Sequence, residues 1–130
     1  MFERLDPRSP TPLYEQIAGR IRVAVAAGDL EEGQNLPSVR QLASSLRVNP
    51  ATVVQAYREL ENDGFVERRH GAGTFVKQVP EPEKRSERVK RARELVRELL
   101  AEAARLGVNG EDLHTALTRE LKTSKAKSDE

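Results

Sequence analysis

The chain has 130 residues, with 33% charged and 4% aromatic side chains and a formal net charge of +1. This length suits one compact domain with an appendage, and the hydrophilic composition excludes two independent hydrophobic cores. The absence of cysteine excludes disulfides and thiolate metal sites, and no stretch approaches the roughly 18 apolar residues that span a membrane.

The first predicted element is a helix from Pro12 to Ala27, which follows a proline-rich, extended opening. Thr11 is expected to cap it, with Pro12 in the first helical position. Its apolar residues recur at a spacing near 3.6, which predicts one core-facing side. These residues are Leu13, Ile17, Ile21, Ala24 and Val25. Gly28 is predicted to end the helix.

A loop from Asp29 to Pro37 precedes the second predicted helix. Ser38 and Gln41, three residues apart, form the pattern of a capping box at its start. The helix should end at Leu46, and its apolar stripe consists of Val39, Leu42, Ala43 and Leu46. A short turn, Arg47-Val48-Asn49, then predicts a steep crossing between this helix and the next.

The third predicted helix begins with Asn49 as its cap and Pro50 in the first position. It stops at Gly64, and its core-facing residues are Val53, Ala56, Tyr57 and Leu60. Two short strands follow, from Phe65 to Arg69 and from Thr74 to Val76, around a glycine-containing turn. A hairpin this small is stable only when it packs on another element.

Pro80 and Pro82 indicate a linker at residues 79–83, which ends a predicted domain at residues 1–78. A long helix from Lys84 to Leu106 follows, and Gly107 ends it. A last helix starts at Asn109 or Gly110, so the predicted helical region spans 84–122. Residues 123–130 form a polar tail that is expected to fray.

This order of elements is that of a winged helix-turn-helix, so the predicted fold class is mainly α (α+β). The recognition helix would span about residues 49–63 and the wing about residues 65–76. Residues 1–79 hold ten basic and ten acidic side chains. A case for DNA binding must therefore rest on where the charges lie rather than on their sum.

Short or polar side chains stand at the predicted outer end of the third helix, as entry into a major groove requires. They are Asn49, Ala51, Thr52 and Gln55. Asn and Gln can pair with adenine, and the Thr methyl can touch thymine. Arg40, Arg47 and Arg58 are placed to reach phosphates or guanine. The hairpin tip adds further positive charge and close backbone approach through Arg68, Arg69, His70, Gly71 and Gly73.

Several segments together resemble the DNA-binding domain of GntR-family regulators. They are Pro12–Ile17, Leu36–Ala43, Val48–Glu61, Gly64 and Arg69–Val76. The C-terminal part of the chain resembles the YtrA subfamily, which has a short two-helix region after the DNA-binding domain. The resemblance implies a repressor in which Ser38, Arg40, Asn49, Thr52, His70 and Gly71 touch DNA. Ala72 departs from the family, in which this wing position is often basic.

The C-terminal helices carry an apolar stripe that is expected to form a homodimer interface. Its residues are Val89, Ala92, Val96, Leu99, Leu100, Ala103, Leu106, Leu113 and Leu117. The stripe could instead pack back onto the N-terminal domain. We prefer dimerisation, because a helix of roughly 34 Å, at 1.5 Å per residue, is too long for so small a domain to cover. A dimer would read an inverted-repeat operator.

Other function classes find little support in the residues. The sequence offers no paired nucleophile and base and no phosphate-binding loop, so we expect neither an enzyme nor a cofactor. His70 and His114 lie far apart, so no metal site is expected.

A winged-helix protein-interaction module without specific DNA binding is the main alternative function. A small-molecule effector of unknown identity stays open as a partner. Met1–Asp6 lacks the apolar run of a signal peptide, so we expect a cytoplasmic protein.

Overall fold

The computed structural model describes residues 5–128, with side chains for residues 5–125. This part of the chain has five helices and one two-stranded antiparallel sheet, which confirms the predicted fold class. The elements are α1 (Leu13–Ala27), α2 (Val39–Leu46), α3 (Pro50–Asn62), β1 (Val66–Arg69), β2 (Gly73–Val76), α4 (Glu81–Leu106) and α5 (Gly110–Ser128). The chain divides into two compact units, and the division falls inside α4, between Lys90 and Arg91.

The start of α1 differs from the prediction that Thr11 caps it. Pro12 is the N-cap residue, and no side chain caps the helix. The backbone N–H groups of Glu15 and Gln16 donate to the Pro12 carbonyl instead. The Gln16 Nε2 group donates to the carbonyl oxygens of Thr11 and Asp6, at 2.8 Å each. The side chain of Gln16 thereby holds the extended opening against the helix.

One hydrophobic core holds the first unit together. Ile17 and Ile21 from α1, Val53 and Leu60 from α3, and Val66 from β1 have at most 1% of their surface exposed. The four helix residues among them are apolar positions that the 3.6-residue period marks on α1 and α3, so packing follows the pattern of the sequence. The core fixes α3 against α1 and leaves the opposite face of α3 in solvent.

The local signals around α2 and α3 are confirmed. Ser38 Oγ accepts from the Gln41 N–H at 3.1 Å, and the Ser38 N–H donates to Gln41 Oε1 at 3.0 Å, which completes the capping box. Asn49 caps α3, and Pro50 is its first residue. Arg47 adopts a left-handed conformation (φ 57°) between the two helices. This sharp reversal lets a three-residue turn join them.

A third extended segment, which the sequence predicted as part of a loop, pairs with β2. In the register of β1 and β2, Glu67 faces Phe75 and Arg69 faces Gly73. The Leu36 N–H donates to the Thr74 carbonyl at 2.8 Å, and the Val76 N–H donates to the Gln34 carbonyl at 2.9 Å. The segment before α2 therefore continues the sheet beside β2, and it ties the wing to the start of α2.

Helix α4 begins at Glu81, three residues before the predicted start at Lys84. Pro82 lies in the first turn, where its missing N–H costs no intrahelical hydrogen bond, so it does not delay the helix. Arg88 Nη1 donates to the Ala26 carbonyl at 2.8 Å, at the end of α1. Val79, placed in the predicted linker, is buried. This part of α4, up to Lys90, thus belongs to the first unit.

The second unit consists of the rest of α4 and α5. The Val108 N–H donates to the Ala103 carbonyl after Gly107, and Asn109 Oδ1 accepts from the Asp112 N–H at the start of α5. Helix α5 extends to Ser128, beyond the predicted end of the helical region at residue 122, and the fraying expected of residues 123–130 stays a prediction. Lysine and alanine in this segment are good helix formers. Asp129 and Glu130 lie outside the described residues.

Candidate nucleic-acid interface

The beginning of α3 is held by the Asn49 side chain. Its Oδ1 accepts from the Ala51 N–H at 2.9 Å, while the residue itself is exposed. Because Oδ1 faces the Ala51 N–H in the cap, the polar group of Asn49 without a partner in the described chain is its Nδ2 amide. A bidentate pair with adenine needs both amide groups, so Asn49 is better suited to donate to a phosphate or to a single base acceptor.

The outer face of α3 combines small, polar and basic side chains. Ala51, Gln55 and Arg58 are exposed, and Thr52 is half-buried. Positions 51, 55 and 58 fall on one side of a helix. Arg58 forms no ion pair or hydrogen bond with any residue that the structure describes. This face therefore presents the Gln55 amide, which can form hydrogen bonds, and the unpaired Arg58 guanidinium group to a binding partner.

Tyr57 lies on the opposite face of α3, as predicted for a core residue. It is 7% exposed, and its hydroxyl donates to the Pro37 carbonyl at 2.6 Å. Burial raises the pKa of Tyr57 to about 12, since a phenolate would lose its hydration there. The hydrogen bond ties α3 to the residue that precedes Ser38, and thus fixes the start of α2 relative to the recognition helix.

Two arginines near α2 have no partner among the described residues. Arg40 lies in the first turn of α2, and Arg47 occupies the turn between α2 and α3; both are exposed. Neither takes part in an ion pair or hydrogen bond within residues 5–128 through its side chain. Their guanidinium groups are free to bind carboxylate or phosphate oxygens.

The start of α2 and the wing face each other across a cleft of about 400 Å³. Ser38 and Gln41 line it from α2, and Arg68, His70 and Gly71 are among the residues that line it from the wing. The structure therefore brings one end of α2 and the wing tip onto a single concave surface. Residues that are about 30 positions apart in the sequence share this surface.

Both wing arginines, Arg68 and Arg69, form ion pairs within the chain, which the sequence alone did not predict. Arg69 Nη2 and Nε donate to Glu67 Oε1 at 2.7 and 2.9 Å, and its guanidinium lies 4.4 Å from the centre of the Phe75 ring. Arg68 is 3.6 Å from Glu61 in a looser ion pair. Exposed pairs of this kind contribute about 0–1 kcal/mol. Both arginines can therefore exchange these partners for a phosphate.

The wing tip brings backbone and one imidazole to the surface. His70, Gly71 and Ala72 are exposed, and the Ala72 N–H donates to the Arg69 carbonyl. At Gly73 (φ +122°), an added Cβ would lie 2.9 Å from Asn35 Oδ1. Glycine at this position therefore allows the hairpin to lie close to the Asn35 side chain.

The predicted dimer residues lie on the surface of the single chain, with two exceptions. Ala103 is buried, and Leu113 is half-buried. The others are exposed: Val89, Ala92, Val96, Leu99, Leu100, Leu106 and Leu117. Leu95 and Leu121, which the predicted interface omitted, are also exposed, at 49% and 60%. The helical period of α5 predicts that Leu121 belongs to the same apolar stripe, because it lies four residues after Leu117.

Sequence reasoning missed two contributors to the interface surface. Asn35 was assigned to a loop, yet it pairs with Phe75 beside the wing and lines the cleft. Val54 was omitted because base reading was expected from small or polar side chains, but 39% of its surface is exposed on α3. Its spacing of three from Ala51 was the available signal.

No group of three or more His, Asp or Glu side chains within the described part of the chain could hold a metal ion. No helix in that part is long and apolar enough to cross a membrane.

Comparisons with known proteins agree with this geometry. Residues 13–76 match the family described as bacterial regulatory proteins, gntR family. The HTH-type transcriptional repressor YtrA of Bacillus subtilis is 37% identical over 111 residues, which are 85% of either chain. The structure of YtrA from Sulfolobus acidocaldarius, a GntR-family transcription factor, has a TM-score of 0.58 and 34% identity, with 80% of this chain and 98% of that chain covered.

A solved complex extends the comparison to DNA. The crystal structure of AraR(DBD) with operator ORR3 matches with a TM-score of 0.50 and 26% identity, over 56% of this chain and 88% of that chain. The family match covers the winged helix-turn-helix, and the likeness to the Bacillus repressor continues beyond it. These relatives are transcription regulators rather than enzymes. The chain therefore belongs to the gntR family of bacterial regulatory proteins.

Proposed function

We propose that this chain is a transcription repressor that binds an inverted-repeat operator as a homodimer. The observation that carries the proposal is the exposed N-terminal half of α3, beside three arginines without partners in the described chain, Arg40, Arg47 and Arg58. A protein surface that keeps several guanidinium groups uncompensated is suited to a polyanion. The cytoplasm, where bacterial operators lie, is the proposed location.

The proposed DNA surface has one set of residues that would read bases and another that would contact the DNA backbone. Ala51, Thr52 and Gln55 would read base edges in a major groove. Ser38, Arg40 and Arg47 would contact the backbone and fix the register of the helix. Across the cleft, Arg69, His70 and Gly71 of the wing would bind the neighbouring backbone or the minor groove.

The relatives support the repressor assignment and the choice of ligand. YtrA of Bacillus subtilis is named a transcriptional repressor, and AraR(DBD) was solved with an operator. By analogy, the same fold in this chain would place α3 and the wing on operator DNA.

The apolar stripe on the C-terminal helices supports the homodimer. Leu99, Leu100 and Leu106 leave 47–63% of their surface in solvent, and α5 makes few close contacts with α4. Burying a half-exposed leucine contributes about 1 kcal/mol. A stripe of this kind repeated over two helices favours association of two copies, and a two-fold dimer would present two recognition helices to an inverted repeat.

The test starts from selection of genomic fragments by the purified protein, followed by gel-shift titration of the selected sequence. Three arginine–phosphate contacts per subunit predict that log Ka falls with log[salt] with a slope of about −5. Arg40→Ala should weaken binding at least tenfold and reduce the slope by about 2 in the dimer.

Arg119→Ala is the matched control. Arg119 is also exposed, and it lies on the side of α5 opposite Leu113 and Leu117. This variant loses the same charge and should bind like the wild type. Equal affinities for Arg40→Ala and the wild type would contradict the proposed surface. Weak retention on duplex DNA that is insensitive to salt would favour the protein-interaction module.

A further inference from the structure

Helix α3 carries one apolar side chain that the core does not use. Val54 has 39% of its surface exposed, and it is the only exposed large hydrophobic residue between Leu5 and Arg88. It follows Ala51 by three residues and precedes Arg58 by four. These spacings place it on the outward face of the helix with both of them.

Val54 is not among the buried residues of α3. The core contacts of α3 come from Val53, Ala56, Tyr57 and Leu60. A β-branched side chain on a helix surface is less favourable than alanine, because its χ1 rotamers are restricted. The valine therefore lowers helix propensity relative to alanine although it is not part of the buried core. The 39% of its surface that is exposed is available to a partner.

We propose that Val54 is a base-reading residue that contacts the 5-methyl group of a thymine in each half-site. In the major groove the thymine methyl is the apolar group among hydrogen-bond donors and acceptors. Ala51, one turn earlier, is small enough to let the helix approach a base closely. The inference rests on the proposed function, because it requires α3 to enter the groove.

Deoxyuridine provides the probe, since it differs from thymidine only by the missing 5-methyl group. In the operator obtained by genomic selection, each thymine is replaced in turn, at both symmetry-related positions. At one position, wild-type affinity should fall about fifteenfold, or about fourfold for each methyl group that leaves an apolar contact. Replacements at the other thymines should have smaller effects.

Two valine variants complete the experiment. Val54→Ala should bind the thymine operator about fifteenfold more weakly than the wild type does. The variant should bind the uracil operator as tightly as it binds the thymine operator. Val108→Ala is the matched control, because Val108 is also 39% exposed but lies after α4, outside the proposed DNA surface. This control should keep the full dependence on the methyl group. Thermal unfolding of Val54→Ala should occur at the same temperature as that of the wild type or slightly above it, because alanine is the better helix former.

The possible outcomes separate this inference from the function on which it rests. If selection enriches no sequence, the proposed function fails. If an operator is obtained but uracil costs Val54→Ala as much as it costs the wild type, Val54 does not read the methyl group, and the regulator assignment stands. If no uracil replacement weakens wild-type binding, the inference is likewise overturned.

Discussion

Asn49 caps α3 and, in the proposed complex, faces DNA. A single substitution separates the effect on the cap from the effect on DNA binding. In Asn49→Asp, the carboxylate keeps the acceptor that binds the Ala51 N–H. Aspartate is as good an N-cap as asparagine, and its charge interacts favourably with the helix N-terminus. The same charge would repel phosphates, and the Nδ2 donor is lost.

The two effects have opposite signs, and both can be sized. The free energy of unfolding should stay the same or rise by about 0.3–1 kcal/mol through the helix dipole. A new negative charge about 4 Å from a phosphate costs about 1 kcal/mol in bulk water and up to about 4 kcal/mol near a protein surface. Taking about 1–2 kcal/mol for each subunit, a dimer loses roughly 30- to 1,000-fold in operator affinity.

Urea denaturation and gel-shift titration at fixed salt measure the two quantities on one preparation. Asn109→Asp is the matched control, because Asn109 makes the same type of cap, with its Oδ1 accepting from the Asp112 N–H at 2.8 Å. It adds the same charge in the other unit and should leave operator affinity unchanged. Asn49→Ala should instead lose about 1 kcal/mol of stability.

The reasoning about Asn49 would be refuted by an Asn49→Asp protein that is as stable as the wild type and binds the operator with equal affinity. That result would mean that the start of α3 does not face phosphates. A protein destabilised by more than about 1 kcal/mol would instead show that the cap geometry is wrong.

Three further predictions concern other parts of the chain. Arg47→Gly should raise stability by about 1 kcal/mol in urea denaturation, because glycine favours φ 57°, while gel shifts should show weaker and less salt-dependent DNA binding. Ultraviolet titration should find Tyr57 protonated well above pH 10, since its pKa is about 12. Because the folded pKa is raised, its contribution to stability should be complete below pH 10 and be lost as the pH rises through 12. Leu99→Lys should shift the protein toward monomer in sedimentation velocity, and an unchanged dimer would contradict the proposed interface.

Local signals in the sequence predicted the helix-turn-helix well. The capping box of Ser38 and Gln41 and the Asn49–Pro50 start involve residues within a few positions of each other. Such interactions form in the same way in any fold that permits the helix. The apolar period likewise identified the face of α3 that is buried, and thus the face that is exposed.

The missed features depend on contacts between distant segments. The strand-like pairing of Gln34 and Leu36 with β2 has no local signal, because the segment is short and partly polar. The pairing of Arg69 with Glu67 over Phe75 depends on the register of the hairpin. The charge that the wing offers to DNA could therefore not be judged from the number of its basic residues.

Photocrosslinking from α3 to the selected operator tests the central claim most directly. The sequence has no cysteine, so Ala51→Cys provides a unique attachment point for a photoreactive group on the exposed face of α3. The account predicts crosslinks to major-groove bases at two symmetry-related positions, and none from Ala101→Cys, whose site is exposed on α4. Crosslinks from the α4 position alone would contradict it.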